Sequence, residues 1–318
     1  MILIISAAED LHARPVMDCL AAMGHQAQIL NLSHFPQHLS LSLRYEQGRR
    51  RDYRLAGLPC GELPLETCKA VWWRRPQNYE PDPAITVPAY RSFVLGESYE
   101  TLSGLWLALD AFWINHPSRD ADAAHKVFQL RVAQEVGFDI PVTLITNSPE
   151  DARAFVDRFG PERTIYKAFT ATEQEWRETR LLRPGEVALL DNVRFAPVIF
   201  QELVPAEVDL RVTVVGNEIF PAAIYSQEMS YKVDYRMELS QVRIEAFELP
   251  EEVNRGLRAL MDRLGLVYGA IDMRLTPDGR LVFLEVNPAG QWLFVEQSTG
   301  QPIALALARA LAAHDQKG

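Results

Sequence analysis

Between Gly269 and Trp292 the chain reads GAIDMRLTPDGRLVFLEVNPAGQW, and this stretch decides the fold. Asp278-Gly279 is a favoured two-residue turn, and the flanking runs 270–275 and 281–286 have the apolar, β-branched content of paired strands. With that turn Pro277 faces Arg280, and counting outward in step sets Asp272 opposite Glu285; a four-residue loop gives the same pairing. Facing carboxylates, their Cβ atoms roughly 5 Å apart, repel in an otherwise apolar hairpin unless a cation lies between them. Asn287 is two residues beyond Glu285 and shares its face, adding a neutral carbonyl oxygen. Such an all-oxygen set suits a magnesium ion that keeps positions for phosphate. The competing reading is a solvated turn with acids nearby. Glu285 weighs against it, because it lies between Val282-Phe283-Leu284 and Val286, where an unpaired charge is costly.

The 318 residues exceed one ordinary compact unit and imply two or three subdomains. With 42 acidic against 32 basic residues the formal charge is −10, which argues against a general nucleic-acid or membrane-surface binder but leaves room for a local basic groove. Cys19, Cys60 and Cys68 have no metal or redox spacing, so reduced thiols and a cytoplasmic location are expected. No apolar run reaches the ~18 residues of a membrane span. The first eight residues are apolar but short and carry no basic leader, and read as a first strand.

In order, Ile2–Ile5 reads as a buried strand, 15–23 as a helix closed by Gly24 and 28–32 as a second strand, so the chain begins as a β-α-β unit. The turn Ser6-Ala7-Ala8-Glu9-Asp10 lacks dinucleotide-binding glycines, and the unit reads as scaffold. Ala70–Trp73 is another strand, ending in Arg74-Arg75-Pro76, two arginines that either hold an acidic partner or are solvated. Residues 92–113 read as a helix, broken by Asn115-His116-Pro117, where the first boundary is placed. His116 has no identifiable partner and reads as a loop residue. Next come helix 121–136, strand 142–145, helix Pro149–Phe159 with Ser148 as N-cap, and strand 164–169. Alternation puts Ile165, Lys167 and Phe169 on one face of that last strand. Lys167 either reaches phosphate or snorkels to the strand edge, and the segment alone does not separate the two. A polar connection fills 171–192, strand 198–200 follows, and Gln201-Glu202-Leu203-Val204-Pro205 leaves it as a hinge whose exposed backbone suits a purine edge. Strands 212–215 and 219–224 form a hairpin about Gly216-Asn217. Helix Glu251–Leu264 precedes the acidic hairpin, and helix 302–313 closes the chain.

Lys126, Lys167, the Gln201 to Val204 hinge and the set Asp272, Glu285, Asn287 stand in the order found in ATP-grasp ligases, which the chain resembles. A narrower likeness runs through Asp209-Leu210-Arg211-Val212-Thr213-Val214-Val215-Gly216, Ala223-Ile224-Tyr225-Ser226-Gln227, Asp234-Tyr235-Arg236 and Asn287-Pro288-Ala289-Gly290-Gln291-Trp292. With Val71-Trp72-Trp73-Arg74-Arg75-Pro76 and Asn115-His116-Pro117, these resemble the microviridin-type peptide ligases, or graspetide synthetases, from about Trp72 to Leu311. The resemblance implies an ATP-grasp fold of α/β and α+β character: an N-terminal β-α-β pre-ATP-grasp domain (1–115), a central subdomain (116–200) and a C-terminal subdomain with the metal site (201–318).

It implies, further, that Lys126 and Lys167 contact the phosphates of ATP, a role suited to compact charges on long stems. The hinge Gln201, Glu202, Leu203, Val204 would hold adenine, through the backbone of Glu202 and Val204, with Ile165 and Leu284 on its faces and Asp209 near the ribose or the substrate. Asp272, Glu285 and Asn287 would hold Mg2+. Arg211 would stand beside the transferred phosphoryl group, Arg236 would take an acidic side chain of the bound peptide, and Arg274, on the strand face of Asp272, would point into the cleft. Two departures stand out: Trp176-Arg177-Glu178-Thr179-Arg180 replaces a glycine-rich phosphate lid, leaving Arg177 or Arg180 for phosphate, and Asp209 stands where glutamate is expected. The implied substrate is a precursor peptide with a leader segment, whose Asp or Glu side chains are closed onto Thr, Ser or Lys through an acyl phosphate, and the implied assembly is a homodimer. Addition of a free amino acid to a carboxylate, and a non-catalytic ATP-binding module, are the alternatives. No general base for the nucleophile is evident.

Overall fold

The structure, a computed structural model, describes residues 1–169, 180–228 and 242–315. The chain opens with β1 (Ile2–Ile5), α1 (Ala13–Ala22), β2 (Ala27–Leu30), β3 (Ser40–Arg44), β4 (Asp52–Leu58), β5 (Gly61–Pro64), β6 (Ala70–Trp73), α2 (Pro88–Ala108) and β7 (Phe112–Ile114). Strands β2-β1-β6-β7 form a parallel sheet. All four residues of β1 are fully buried, because both faces are covered: Ile2 and Ile4 pack towards α1, Leu3 and Ile5 towards α2. The expected β-α-β start is therefore present. The helix expected over 92–113 instead ends at Ala108, and Phe112–Ile114 pairs with β6 as the sheet's fourth strand. Trp113 pairs with Val71 and is buried with α2's Leu105 and Trp106 in one core. The antiparallel meander β3-β4-β5 lies where no strands were expected, its alternation interrupted by the exposed run Arg49-Arg50-Arg51.

Next come α3 (Pro117–Ala124), α4 (Lys126–Glu135), β8 (Thr143–Thr146), α5 (Pro149–Phe159), β9 (Thr164–Lys167), β10 (Arg180–Leu181) and β11 (Val198–Glu202). The single helix expected over 121–136 is two, broken at His125, so that Lys126 opens the second. The expected Ser148 cap is made: its hydroxyl accepts from the Asp151 N–H at 3.2 Å. The segment read as a polar connection contains a 3-10 helical stretch, Pro184–Phe195, which buries Leu190 and Val193 against α5. The central sheet runs β10-β9-β11-β8.

The remainder is β12 (Val208–Val215), β13 (Glu218–Ile224), β14 (Ile244–Ala246), α6 (Glu251–Leu264), β15 (Tyr268–Leu275), β16 (Leu281–Asn287), α7 (Leu293–Thr299) and α8 (Ile303–Ala312), with an antiparallel sheet ordered β14-β13-β12-β15-β16. One face packs on α4 and α6 through Val212, Ile271, Met273, Phe283 and Val286. The other shares a core with α8 and the N-terminal sheet through Val215, Tyr268 and Ala270. Along β12 and β15 that second face then turns polar, at Arg211 and Asp272 and then Asp209 and Arg274, four of the site residues expected from sequence.

Candidate active site

The acidic hairpin pairs Asp272 with Glu285 and Ala270 with Asn287, as counted from the sequence, but by a different route. The turn is a three-residue loop, Pro277-Asp278-Gly279, closed by Thr276 N–H to the Arg280 carbonyl at 2.9 Å, and Gly279 adopts φ 84°, open to glycine without strain. Leu275 therefore faces Leu281, one residue out of the expected step, and Leu284 is an extra residue that restores it. Phe283 and Val286, three apart, enter the same core, so Leu284 and Glu285 both lie on the opposite, cleft side.

Arg211, Asp272 and Glu285 form one row across β12, β15 and β16. Arg211 Nη1 donates to Asp272 Oδ1 at 2.8 Å, and Lys126 Nζ, carried in by the start of α4, donates to Glu285 Oε2. Each acid thus meets a cation of the protein, so their opposition alone does not demand a metal. Among the described residues no three His, Cys, Asp or Glu side chains are grouped to hold one. Two carboxylates and the Asn287 amide, whose oxygen also accepts from the Ala289 N–H at 3.0 Å, fit a hard divalent ion when phosphate oxygens and water complete its shell.

One row further out, Arg274 Nε donates to Asp209 Oδ1 at 2.7 Å and Nη1 to the Val204 carbonyl at 2.8 Å, and Ser226 Oγ donates to Asp209 Oδ2. Both members of this pair are buried, so Arg274 ties β15 to the hinge and does not lie open in the cleft. At the hinge the Glu202 N–H goes to Val142 and that of Leu203 to Arg163; among the described residues the Val204 N–H has no acceptor. Tyr166 and Phe200 pack on α5, whereas Ile165 and Lys167 alternate to the other face, where Gln201 pairs with Ile165 and donates to Thr143 Oγ1 at 2.9 Å. Arg180 is engaged by Glu186 at 2.6 and 2.9 Å, away from a phosphate role in this arrangement. Arg177 and Arg236 lie outside the described residues.

Two motif residues given no site role from sequence stand behind this row. Arg74 is buried and reaches the Ala289 carbonyl at 2.5 Å. Asn115 donates to the carbonyls of Tyr268 and Pro288 and accepts from the N–H groups of Val267 and Tyr268. His116 caps α3, accepting from the Ser118 N–H. Nearby His12, half-buried with its ring edge-on to Trp292 at 5.2 Å, is neutral: burial, then the charge of Arg74, push its pKa down to about 4. No short-range pattern marked it.

The fold that carries these groups is matched by whole-chain comparison. The structure superposes on the macrocyclase MdnC bound with precursor peptide MdnA from Microcystis aeruginosa MRC with a TM-score of 0.87 and 29% identity, over 98% of this chain and 99% of that one. The chain has the ATP-grasp fold with a pre-ATP-grasp domain. The chain also superposes on a Chryseobacterium gregarium RiPP-associated ATP-grasp ligase in complex with ADP and a leader and core peptide, with a TM-score of 0.89, 27% identity and coverage of 98% and 96%. A family model described as the MvdD pre-ATP grasp domain matches residues 1–121. A ribosomal protein bS6--L-glutamate ligase of Salmonella paratyphi B is 26% identical over 203 residues, covering 62% of this chain and 66% of its own length, just under two thirds.

Proposed function

We propose that the chain is an ADP-forming, ATP- and Mg2+-dependent ligase that activates Asp or Glu side chains of a precursor peptide, recognised with its leader segment, and closes them onto Thr, Ser or Lys as macrocyclic esters or amides. The observation that carries this is the Arg211, Asp272, Glu285 row met by Lys126, in a chain that superposes along 98% of its length on a macrocyclase bound with its precursor peptide. The substrate carboxylate attacks the γ-phosphoryl group, giving an acyl phosphate and ADP; the hydroxyl or amine then attacks the acyl carbon, and phosphate leaves with the C–O bonding pair. Lys126 and Lys167 hold phosphate oxygens, and Arg211 offsets the charge developing as two anions approach. The Glu202 carbonyl and Val204 N–H take the adenine edge, Ile165 and Leu284 its faces, and the Asp209–Arg274 pair keeps the hinge at its distance from β15. Bound through Asp272, Glu285 and Asn287, Mg2+ would neutralise and orient the phosphates. Arg236 takes an acidic side chain of the peptide.

The likeness to the bS6 glutamate ligase favours one alternative, addition of a free amino acid at the same ATP site. Incubating the protein with magnesium, ATP and a candidate precursor separates the two by mass: loss of one water per ring marks cyclisation, and a gain marks addition. ATP binding without turnover defeats both.

The homodimer is part of the same proposal. The exposed half of α2 presents Tyr90 and Phe93, neighbours one turn apart and each at least 60% exposed, apolar surface that a second copy would cover. Phe93→Glu should then shift the mass measured by sedimentation from dimer to monomer, and a wild-type monomer at micromolar concentration would refute it.

A further inference from the structure

The loop between β16 and α7 is gripped through four successive carbonyls. Pro288 accepts from Asn115 Nδ2 at 3.0 Å, Ala289 from Arg74 Nη1 at 2.5 Å, Gly290 from Tyr268 Oη at 2.8 Å and Arg74 Nη1 at 3.2 Å, and Gln291 from Arg211 Nη2 at 2.9 Å. The loop begins directly after Asn287 and ends on Arg211, so its conformation bears on both. It is also tight: a methyl group on Gly290 would stand 2.9 Å from Arg211 Nη2.

Arg74 and Asn115 come from the segment matched by the pre-ATP-grasp model, far in sequence from the nucleotide site. Arg74 is 1% exposed; its nearest acid is Asp10, 3.4 Å from Nε, and neither Nε nor Nη2 makes a hydrogen bond among the described residues. A guanidinium buried with so little compensation is costly, and an apolar side chain would serve a merely structural joint as well or better. What the arginine does, and an apolar residue does not, is hold two neighbouring carbonyls in one orientation.

We infer that Arg74 and Asn115 are positioning residues for the ligase reaction: by setting the path of residues 288–291 they set where Arg211 and Asn287 stand, making the N-terminal sheet part of the phosphoryl-transfer apparatus. This rests on the ligase reading above. It extends that reading to residues that touch neither nucleotide nor peptide.

The test compares Arg74→Met and Arg74→Lys with wild type by thermal unfolding and by titration with ADP, with and without magnesium. Arg74→Met should stay folded at the assay temperature though it melts lower than wild type, bind metal-free ADP equally well, and bind Mg·ADP about tenfold or more weakly, the usual effect of losing an outer-shell support. Arg74→Lys should restore much of that affinity. Wild-type Mg·ADP affinity in folded Arg74→Met overturns the inference, as does equal weakening with and without magnesium in step with a lowered melting temperature. If wild type itself shows no magnesium-dependent ADP binding, the ligase reading has failed, and the inference falls with it.

Discussion

Asp272 and Glu285 face each other across β15 and β16 although the turn between them starts the ladder one residue out of step; the extra residue Leu284 brings it back. The bulge also does something regular pairing cannot. It turns two consecutive side chains, Leu284 and Glu285, to the face opposite the Phe283 and Val286 core, which on the proposed reading sets an apolar surface for the base beside a ligand for the metal.

Replacing Glu285 by Gln keeps an acceptor for Lys126 but removes the charge. Folding should be unchanged, while magnesium-dependent phosphate release from ATP falls about 100-fold. Turnover near wild type, with the same magnesium dependence, would remove Glu285 from the metal set.

Leu284→Ala should raise the KM for ATP about tenfold and leave kcat nearly alone, because the lost apolar contact serves ground and transition states equally. Steady-state kinetics decide it. A fall in kcat at unchanged KM would mean that Leu284 supports the chemistry instead of the base.

Arg274→Met leaves Asp209 buried with Ser226 as its remaining described side-chain partner, and should cost about 3–5 kcal/mol in denaturant unfolding. The double variant Asp209→Leu with Arg274→Met should recover most of it. A loss below about 1 kcal/mol for the single variant would show that the pair is not the strut of the hinge.

Burial raises the Asp120 carboxyl from 3.8 to about 6, and its Oδ1 has no hydrogen-bond partner among the described residues. The folded state therefore favours the protonated acid. Its contribution to stability is complete below the unfolded value of 3.8 and is lost as pH rises through about 6, an effect of about 3 kcal/mol at most. Asp120→Asn should stabilise the protein at about pH 8 and not at about pH 4, measured as unfolding free energy against pH. A gain equal at both pH values would point to packing.

Arg236→Ala should raise the KM for the peptide with little change in nucleotide affinity. Lost nucleotide affinity at unchanged peptide KM would move Arg236 to the phosphates.

Periodicity and turn chemistry alone are enough for much of this protein. Ile2–Ile5, Pro149–Phe159 and Glu251–Leu264 have the bounds read from sequence, because a buried parallel strand and a capped amphipathic helix are written in neighbouring residues. The pairing of Asp272 with Glu285 was legible too, although its loop and bulge were not: two one-residue departures cancel, and neither leaves a mark in composition. Tertiary structure decided the rest. Lys126 meets Glu285 across 159 residues because a break at His125 aims the start of α4 at β16, and Arg74 reaches residue 289 because the N-terminal sheet shares a core with the C-terminal one. A residue's type states what charge or hydrogen bond it has to offer; which distant group receives it depends on how whole sheets pack, and that is a property of the summed core, absent from any local stretch of chain.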